Sequence, residues 1–258
     1  MPLPASATPQ TPVPAHGEHA ARAGSSARAP GRCWALVPCA GVGKRAGAAL
    51  PKQYADVAGE PMLRHTLRAL AALPQLQGTL VVLSPHDEHF EARVPQHAFD
   101  RRWLARVGGA TRAASVAAGL AALRERGAED LDWVLVHDAA RCLLQPTWVQ
   151  RLIDAVADDA VGGLLALPVA DTVKREEGSA RVEQTIPRDR LWLAQTPQMF
   201  RLALLQRALA QAGAQVTDEA SAVEALGLRP LLVPGAWENL KITWPADFAL
   251  AERLLATR

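Results

Sequence analysis

Two periodicities alternate along this chain. Unbroken apolar runs of strand length occur at 33–38 (CWALVP), 79–84 (TLVVLS), 133–138 (WVLVHD) and 161–169 (VGGLLALPV). Between them the apolar positions recur at helical spacing. "PMLRHTLRALAAL" (61–73) places Met62, Leu63, Leu67 and Leu70 on one face. "TRAASVAAGLAALRERG" (111–127) predicts an Ala/Leu helix closed by glycine, and "TWVQRLIDAVAD" (147–158) predicts another. Helices are also expected at 200–213 and 218–227. Short late strands are expected in "RPLLVPG" and "NLKIT", and a closing helix at 245–258 has proline in its first turn.

Strands that alternate with helices of this length predict an α/β fold. The expected form is a Rossmann-like, mainly parallel twisted sheet with helices on both faces, built by residues 31–258 as a single domain. Ligands of such sheets bind outside the carboxyl ends of the strands. The segments there are 39–52, 84–87, 108–112, 137–141, 171–174 and 241–243, which are also the polar and glycine-rich clusters. Their coincidence predicts one composite site.

One segment interrupts the alternation. Residues 170–192 (ADTVKREEGSARVEQTIPRDRLW) are highly charged, with β-like flanks around Glu177-Gly178-Ser179. They predict a projecting hairpin. An exposed hairpin with apolar residues on one face pairs with something, and a homodimer joined through this arm is the expected use.

Composition narrows the classes. Lys plus Arg number 28 against 26 Asp plus Glu, which argues against a dedicated nucleic-acid binder. The apolar runs fall short of the ~18 residues of a membrane span. Three cysteines (Cys33, Cys39, Cys142) form no CxxC pair and no zinc spacing, as expected of free thiols in a reducing cytoplasm. Residues 1–30 hold six prolines, one acid (Glu18) and no apolar period, and read as a disordered tail. Low acid content loosely fits an organellar (plastid) transit peptide, but arginines are sparse and prolines many.

The chemistry begins at "LVPCAGVGKRAG" (36–47). A Walker A loop fails here: Pro38 stands where the first glycine belongs, and Arg45 where the hydroxyl belongs. A dinucleotide fingerprint also fails, because Gly41, Gly43 and Gly47 are spaced one residue too long. The extended stretch "PCAGVGKRAGAALPKQY" (38–54) instead resembles the opening signature of nucleotidyltransferases that activate sugar phosphates. "GGATRAASV" (108–116), "VLVHDAAR" (134–141), "PVADTVKR" (168–175), "TPQMF" (196–200), "TDEASAVE" (217–224) and "ENLKIT" (238–243) follow in order. Together they are similar to the 2-C-methyl-D-erythritol 4-phosphate cytidylyltransferases over nearly the whole chain outside the tail.

That resemblance implies transfer of a cytidylyl group from CTP to methylerythritol phosphate, with release of pyrophosphate and with Mg²⁺ neutralising CTP. A cytidylyltransferase for another polyol phosphate, such as ribitol 5-phosphate, shares the same loop pattern. A catalytically dead nucleotide-binding module is the reading from a different class, and the intact set of charges speaks against it. By resemblance, Arg45, Lys52 and Lys241 are the catalytic cations. Pro38, Cys39, Ala40, Gly41, Gly43, Gly108, Gly109 and Ser115 bind the nucleotide. Asp138, Arg141, Thr172, Arg188 and Lys241 take the alcohol phosphate, and Asp138 is the candidate metal ligand. Thr172 and Arg188 lie on the arm, so exchanged arms would make each site composite. A structural alternative for Asp138 is pairing with Arg141. Cys39, Ala110, Cys142 and Trp244 depart from the usual family residues without removing a proposed catalytic charge.

Overall fold

Strand β1 (Cys33–Pro38) sets the layers. Cys33, Ala35 and Val37 point into one apolar cluster, Trp34 and Leu36 into another on the opposite face. The computed structural model describes residues 31–41, 50–95, 101–212 and 216–258, so the tail 1–30 and the centre of the glycine-rich loop, including Gly43 and Arg45, lie outside the described residues.

Among the described residues after β1, a 3₁₀ turn (Lys52–Tyr54) leads into two short strands, β2 (Asp56–Val57) and β3 (Glu60–Pro61), and helix α1 (Met62–Ala71). Then follow β4 (Leu76–Val82), α2 (Phe90–Arg93), β5 (Arg102–Ala105), α3 (Arg112–Glu125) and β6 (Trp133–Val136). The second half contains α4 (Pro146–Val156), β7 (Gly162–Pro168), β8 (Val173–Glu176), β9 (Val182–Ile186) and β10 (Trp192–Arg201). It closes with α5 (Leu202–Gln211), α6 (Glu219–Glu224), β11 (Leu231–Pro234) and α7 (Pro245–Ala256).

Seven strands form one sheet in the order β11-β7-β10-β6-β1-β4-β5. All neighbours are parallel except β10, which runs antiparallel to both β6 and β7. Helices α1 and α4 cover one face, while α3, α5 and α6 cover the other. The expected α/β sheet with helices on both faces is therefore present. Leu36 and Leu80 of the sheet and Leu120 and Leu123 of α3 are fully buried in one cluster, each contributing about 2 kcal/mol relative to exposure. Gly119 lets α3 lie this close: a Cβ there would come 2.6 Å from Val82 and 2.7 Å from Leu36.

The hairpin β8–β9 pairs antiparallel, Val173 opposite Ile186, as a separate two-stranded sheet. Gly178 (φ +99°) supplies the turn. Nearly all of its side chains are exposed in the single chain.

Two expectations are corrected. "NLKIT" is not a strand. Ile242 N–H donates to Ala140 O (2.9 Å), which lays this segment across the loop after β6 instead of along the sheet. And Trp192–Arg201, read in pieces as the end of the arm, a motif and the start of a helix, is the ten-residue strand β10. Its apolar pattern is broken by the buried polar residues Gln195, Thr196 and Gln198 around the cis Thr196–Pro197 bond.

Candidate active site

The carboxyl ends of β1, β4, β5 and β6 meet at one edge of the sheet. Cys39 N–H, just past β1, donates to Val82 O at 2.7 Å, and Gly108 N–H donates to Leu83 O at 2.8 Å. A Cβ on Gly108 would collide with the Cβ of Ala40 and approach Leu83 O to 2.7 Å. Glycine is thus what allows the loop after β5 to touch the loop after β1.

Lys52 is presented by the residues beside it. Tyr54 is fully buried, and its hydroxyl donates to Asp87 Oδ2 (2.7 Å). Gln53 is also buried and donates to Cys39 O (2.8 Å). The turn is closed by Tyr54 N–H on Pro51 O (2.9 Å). With both following side chains anchored inward, Lys52 faces a cavity lined by Pro38, Cys39, Gly41, Arg112, Asp138 and Lys241. Its Nζ donates to Ile242 O at 2.6 Å, next to Lys241.

Asp138 lines the same cavity. Strand β6 delivers it, and its backbone N–H donates to Thr196 Oγ1 (3.0 Å) on β10. Its carboxylate oxygens are divided between two cations. Oδ1 accepts from Arg112 Nε (2.9 Å), and Oδ2 lies 2.7 Å from Lys241 Nζ. Burial opposes ionisation of Asp138, but Arg112, Lys241 and, at longer range, Arg141 outweigh it. Its carboxyl is held well below the usual carboxylate range. The preceding His137 is fully buried, and burial pulls it down to about 4, so it is a neutral strand-end packing residue.

Arg112, which sequence reasoning missed, is the hub. It occupies the first turn of α3, where the helix dipole disfavours a cation. The compensation is Glu219, whose carboxylate accepts from Nη1 and Nη2 at 2.6 and 2.9 Å. A cation at a helix N-terminus, with no acid in that turn, was the available signal.

The geometry revises other assignments. Asp138 does not pair structurally with Arg141, whose guanidinium donates to Asn239 O (2.7 Å) and Ala194 O (3.2 Å). The Ser115 hydroxyl is buried and spent on its own loop, accepting from Gly109 N–H (3.1 Å) and donating to Thr111 O (2.9 Å). It shapes the 108–115 turn rather than pointing into the cavity. Thr172 and Arg188 do not line this cavity. Thr172 is exposed, and Arg188 bonds Ala170 O within the arm.

Residues 33–257 match the family model described as 2-C-methyl-D-erythritol 4-phosphate cytidylyltransferase. The chain belongs to this family. Relatives of that name from Chromobacterium violaceum and Ralstonia nicotianae are 57% and 56% identical, over 87% and 90% of this chain and 98% and 94% of theirs. A bifunctional IspD/IspF enzyme of Albidiferax ferrireducens is 58% identical, and this chain spans only 54% of its length. Among solved structures, a 4-diphosphocytidyl-2C-methyl-D-erythritol synthase superposes with TM-score 0.77 at 44% identity, covering 87% of this chain and 98% of that one. The Thermus thermophilus cytidylyltransferase gives 0.70 at 36%, covering 86% and 98%.

For a cytidylyltransferase of this family the donor set also bears on a metal. Among the described residues no group of three or more His, Cys, Asp or Glu could hold an ion. Mg²⁺ is commonly bound by one or two carboxylates plus substrate phosphates. Asp138 lines the cavity and would hold such an ion, together with phosphate oxygens, once Lys241 leaves its Oδ2.

Proposed function

We propose that the family's reaction runs in the cavity between Lys52, Arg112, Asp138 and Lys241. The chain is a cytidylyltransferase that joins CTP to 2-C-methyl-D-erythritol 4-phosphate in isoprenoid precursor synthesis, giving the diphosphocytidyl alcohol and pyrophosphate. An oxygen of the alcohol's phosphate forms a bond to the α-phosphorus of CTP. The bond from that phosphorus to the α–β bridging oxygen breaks, and pyrophosphate leaves with the electron pair. A phosphomonoester has a second pKa of ~6, so the nucleophile is already anionic and needs no general base. The task is to bring two polyanions together and to stabilise charge as it develops.

In this reading the backbone from Pro38 to Gly41, continuing through Gly43, cradles the triphosphate, with Arg45 forking onto it. Gly108 and Gly109 admit the cytosine end. Lys52 holds a non-bridging oxygen of the α-phosphate. Lys241, 45% exposed at its side chain, is released from Asp138 onto the incoming phosphate. Asp138 and Arg141 orient the alcohol. Mg²⁺ bound to the triphosphate and Asp138 would neutralise charge on the leaving pyrophosphate. The arm's Thr172 and Arg188 serve the site of a second copy, which accounts for exposed Val182, Leu191, Trp192 and Leu193 along the arm and its exit strand. The chain then acts as a cytoplasmic homodimer. Among the described residues no helix is long and apolar enough to cross a membrane.

The observation that carries this reading is the convergence of Lys52 and Lys241 on one cavity. It is tested by kcat/KM measured side by side for methylerythritol 4-phosphate and ribitol 5-phosphate. The first is expected to be strongly preferred, and preference for the second overturns the assignment.

A further inference from the structure

Glu219 is fully buried, yet it does not line the cavity that holds Lys52 and Lys241. A buried carboxylate is costly unless paired. Its seat is rigid. Asp218 and Ser221 form a capping box at the start of α6, and Gln198 of β10 braces both neighbours. Gln198 Oε1 accepts from Ala220 N–H (2.7 Å), and its Nε2 donates to Asp218 Oδ2 (2.8 Å).

From this seat Glu219 takes both terminal nitrogens of Arg112, leaving Nε to donate to Asp138 Oδ1. Asp138 Oδ2 in turn meets Lys241. Lys241, Asp138, Arg112 and Glu219 thus form a chain of alternating charge from the cavity into the interior. A guanidinium gripped through both terminal nitrogens cannot rotate, so its Nε–H is fixed in direction. Released from Glu219, Arg112 sits at a helix end that repels it, beside a cavity it already lines.

We propose that Glu219 is a positioning residue for the alcohol-phosphate half of the reaction. By clamping Arg112 it fixes the carboxylate of Asp138, so that Lys241 is presented to the incoming phosphate at one place. This rests on the reading that Asp138 and Lys241 serve the alcohol phosphate. Glu219 reaches the site through Arg112 and Asp138, so KM for the alcohol phosphate is expected to depend on it more than KM for CTP.

The test compares E219Q, R112M, R112M/E219Q and D138N in the full chain, with KM and kcat for both substrates. Gln keeps the size of Glu219 but offers one acceptor where the guanidinium uses two. E219Q is expected to lower kcat/KM for the alcohol phosphate about tenfold or more, with KM for CTP within about twofold. R112M is expected to do the same, and the double variant to be no worse than R112M. A merely structural Glu219 would instead give losses that multiply. Unchanged or improved use of the alcohol phosphate by E219Q, or multiplying losses, overturns the proposal. Should E219Q not fold, the double variant leaves neither buried charge unpaired. Equality with R112M then supports the proposal, and a further loss overturns it. If D138N spares the alcohol phosphate, the site reading falls and the proposal with it. If D138N impairs it and E219Q does not, the proposal alone falls.

Discussion

The ammonium of Lys241 lies 2.7 Å from Oδ2 of Asp138, although nearly half of the lysine side chain is exposed and the carboxylate is buried. One partner therefore reaches solvent and the other hardly does. Lys241→Met leaves Asp138 its bond from Arg112, so the fold survives. Loss of a cation acting on the reacting phosphate is expected to lower kcat/KM for the alcohol phosphate about 10²–10³-fold. Steady-state kinetics with circular dichroism of the variant checks both halves of that statement.

Lys52→Ala is expected to separate activity from stability more sharply. Gln53 and Tyr54 hold the turn without it. The melting temperature is expected to shift by no more than about 4 °C, while kcat falls about 10³-fold. A parallel loss of both would show that Lys52 is a structural residue.

Gly108→Ala inserts a methyl group between Ala40 and the carbonyl of Leu83. Backbone cannot yield as a flexible side chain can. Overpacking of this kind costs about 1–3 kcal/mol. Because the displaced loop is the one after β1, KM for CTP is expected to rise more than KM for the alcohol phosphate. Urea denaturation and substrate titrations measure the two effects.

His137 gives a pH signature. Its pKa drops from 6.5 in the unfolded chain to about 4 in the fold, because burial disfavours the charged ring. A depressed value means that the unfolded state binds the extra proton. The stability this residue permits is complete above pH 6.5 and is lost as pH falls towards 4. Between pH 7 and pH 5 the loss is about 2 kcal/mol, at ~1.36 kcal/mol per unit. His137→Asn is expected to flatten this part of the stability profile in urea titrations at the two pH values. Asp138 adds a further loss that begins as pH falls into the ordinary carboxylate range and continues down to its own depressed pKa.

Arg188→Ala is expected to raise KM for the alcohol phosphate at least about fivefold while leaving CTP use near normal. Mixed with Asp138→Asn subunits, it is expected to recover part of the wild-type rate, because a hybrid dimer then contains one site free of both lesions. No recovery on mixing would place Arg188 in its own chain's site.

How much of this was legible in the sequence varied with the kind of interaction. The strand-end clusters were visible because apolar runs of strand length stop abruptly at glycine and charge, as at Pro38–Gly41 and His137–Arg141. That placed Lys52, Asp138 and Lys241 near one another before any coordinates. Strand β10 was not legible as a strand, since its inward positions carry Gln195, Thr196 and Gln198. Those side chains bond to Ala236, Asp138 and Asp218 across the fold, contacts that no local pattern encodes. "NLKIT" misled for the converse reason: it alternates like a strand, but its Ile242 N–H is taken by the loop after β6 and its Asn239 and Thr243 N–H groups by Ala236 and Asp247. Arg112 and Glu219 each looked like an ordinary charge at the start of a helix. Only the packing of α3 against α5 and α6 brings them together.

The three cysteines carry one last consequence. Cys33, Cys39 and Cys142 are all buried, and burial pushes their thiols upward, Cys33 to about 11, Cys142 to about 12, and Cys39 higher still. Thiolate is the reactive form, so at neutral pH these sulfurs are chemically silent while the chain is folded. Cys39 lies in the wall of the cavity that Lys52 faces, yet an electrophile finds no thiolate there. The molecule thus carries three built-in clocks of its own opening, one at the first residue of β1, one in the loop after β1 and one under the closing helix.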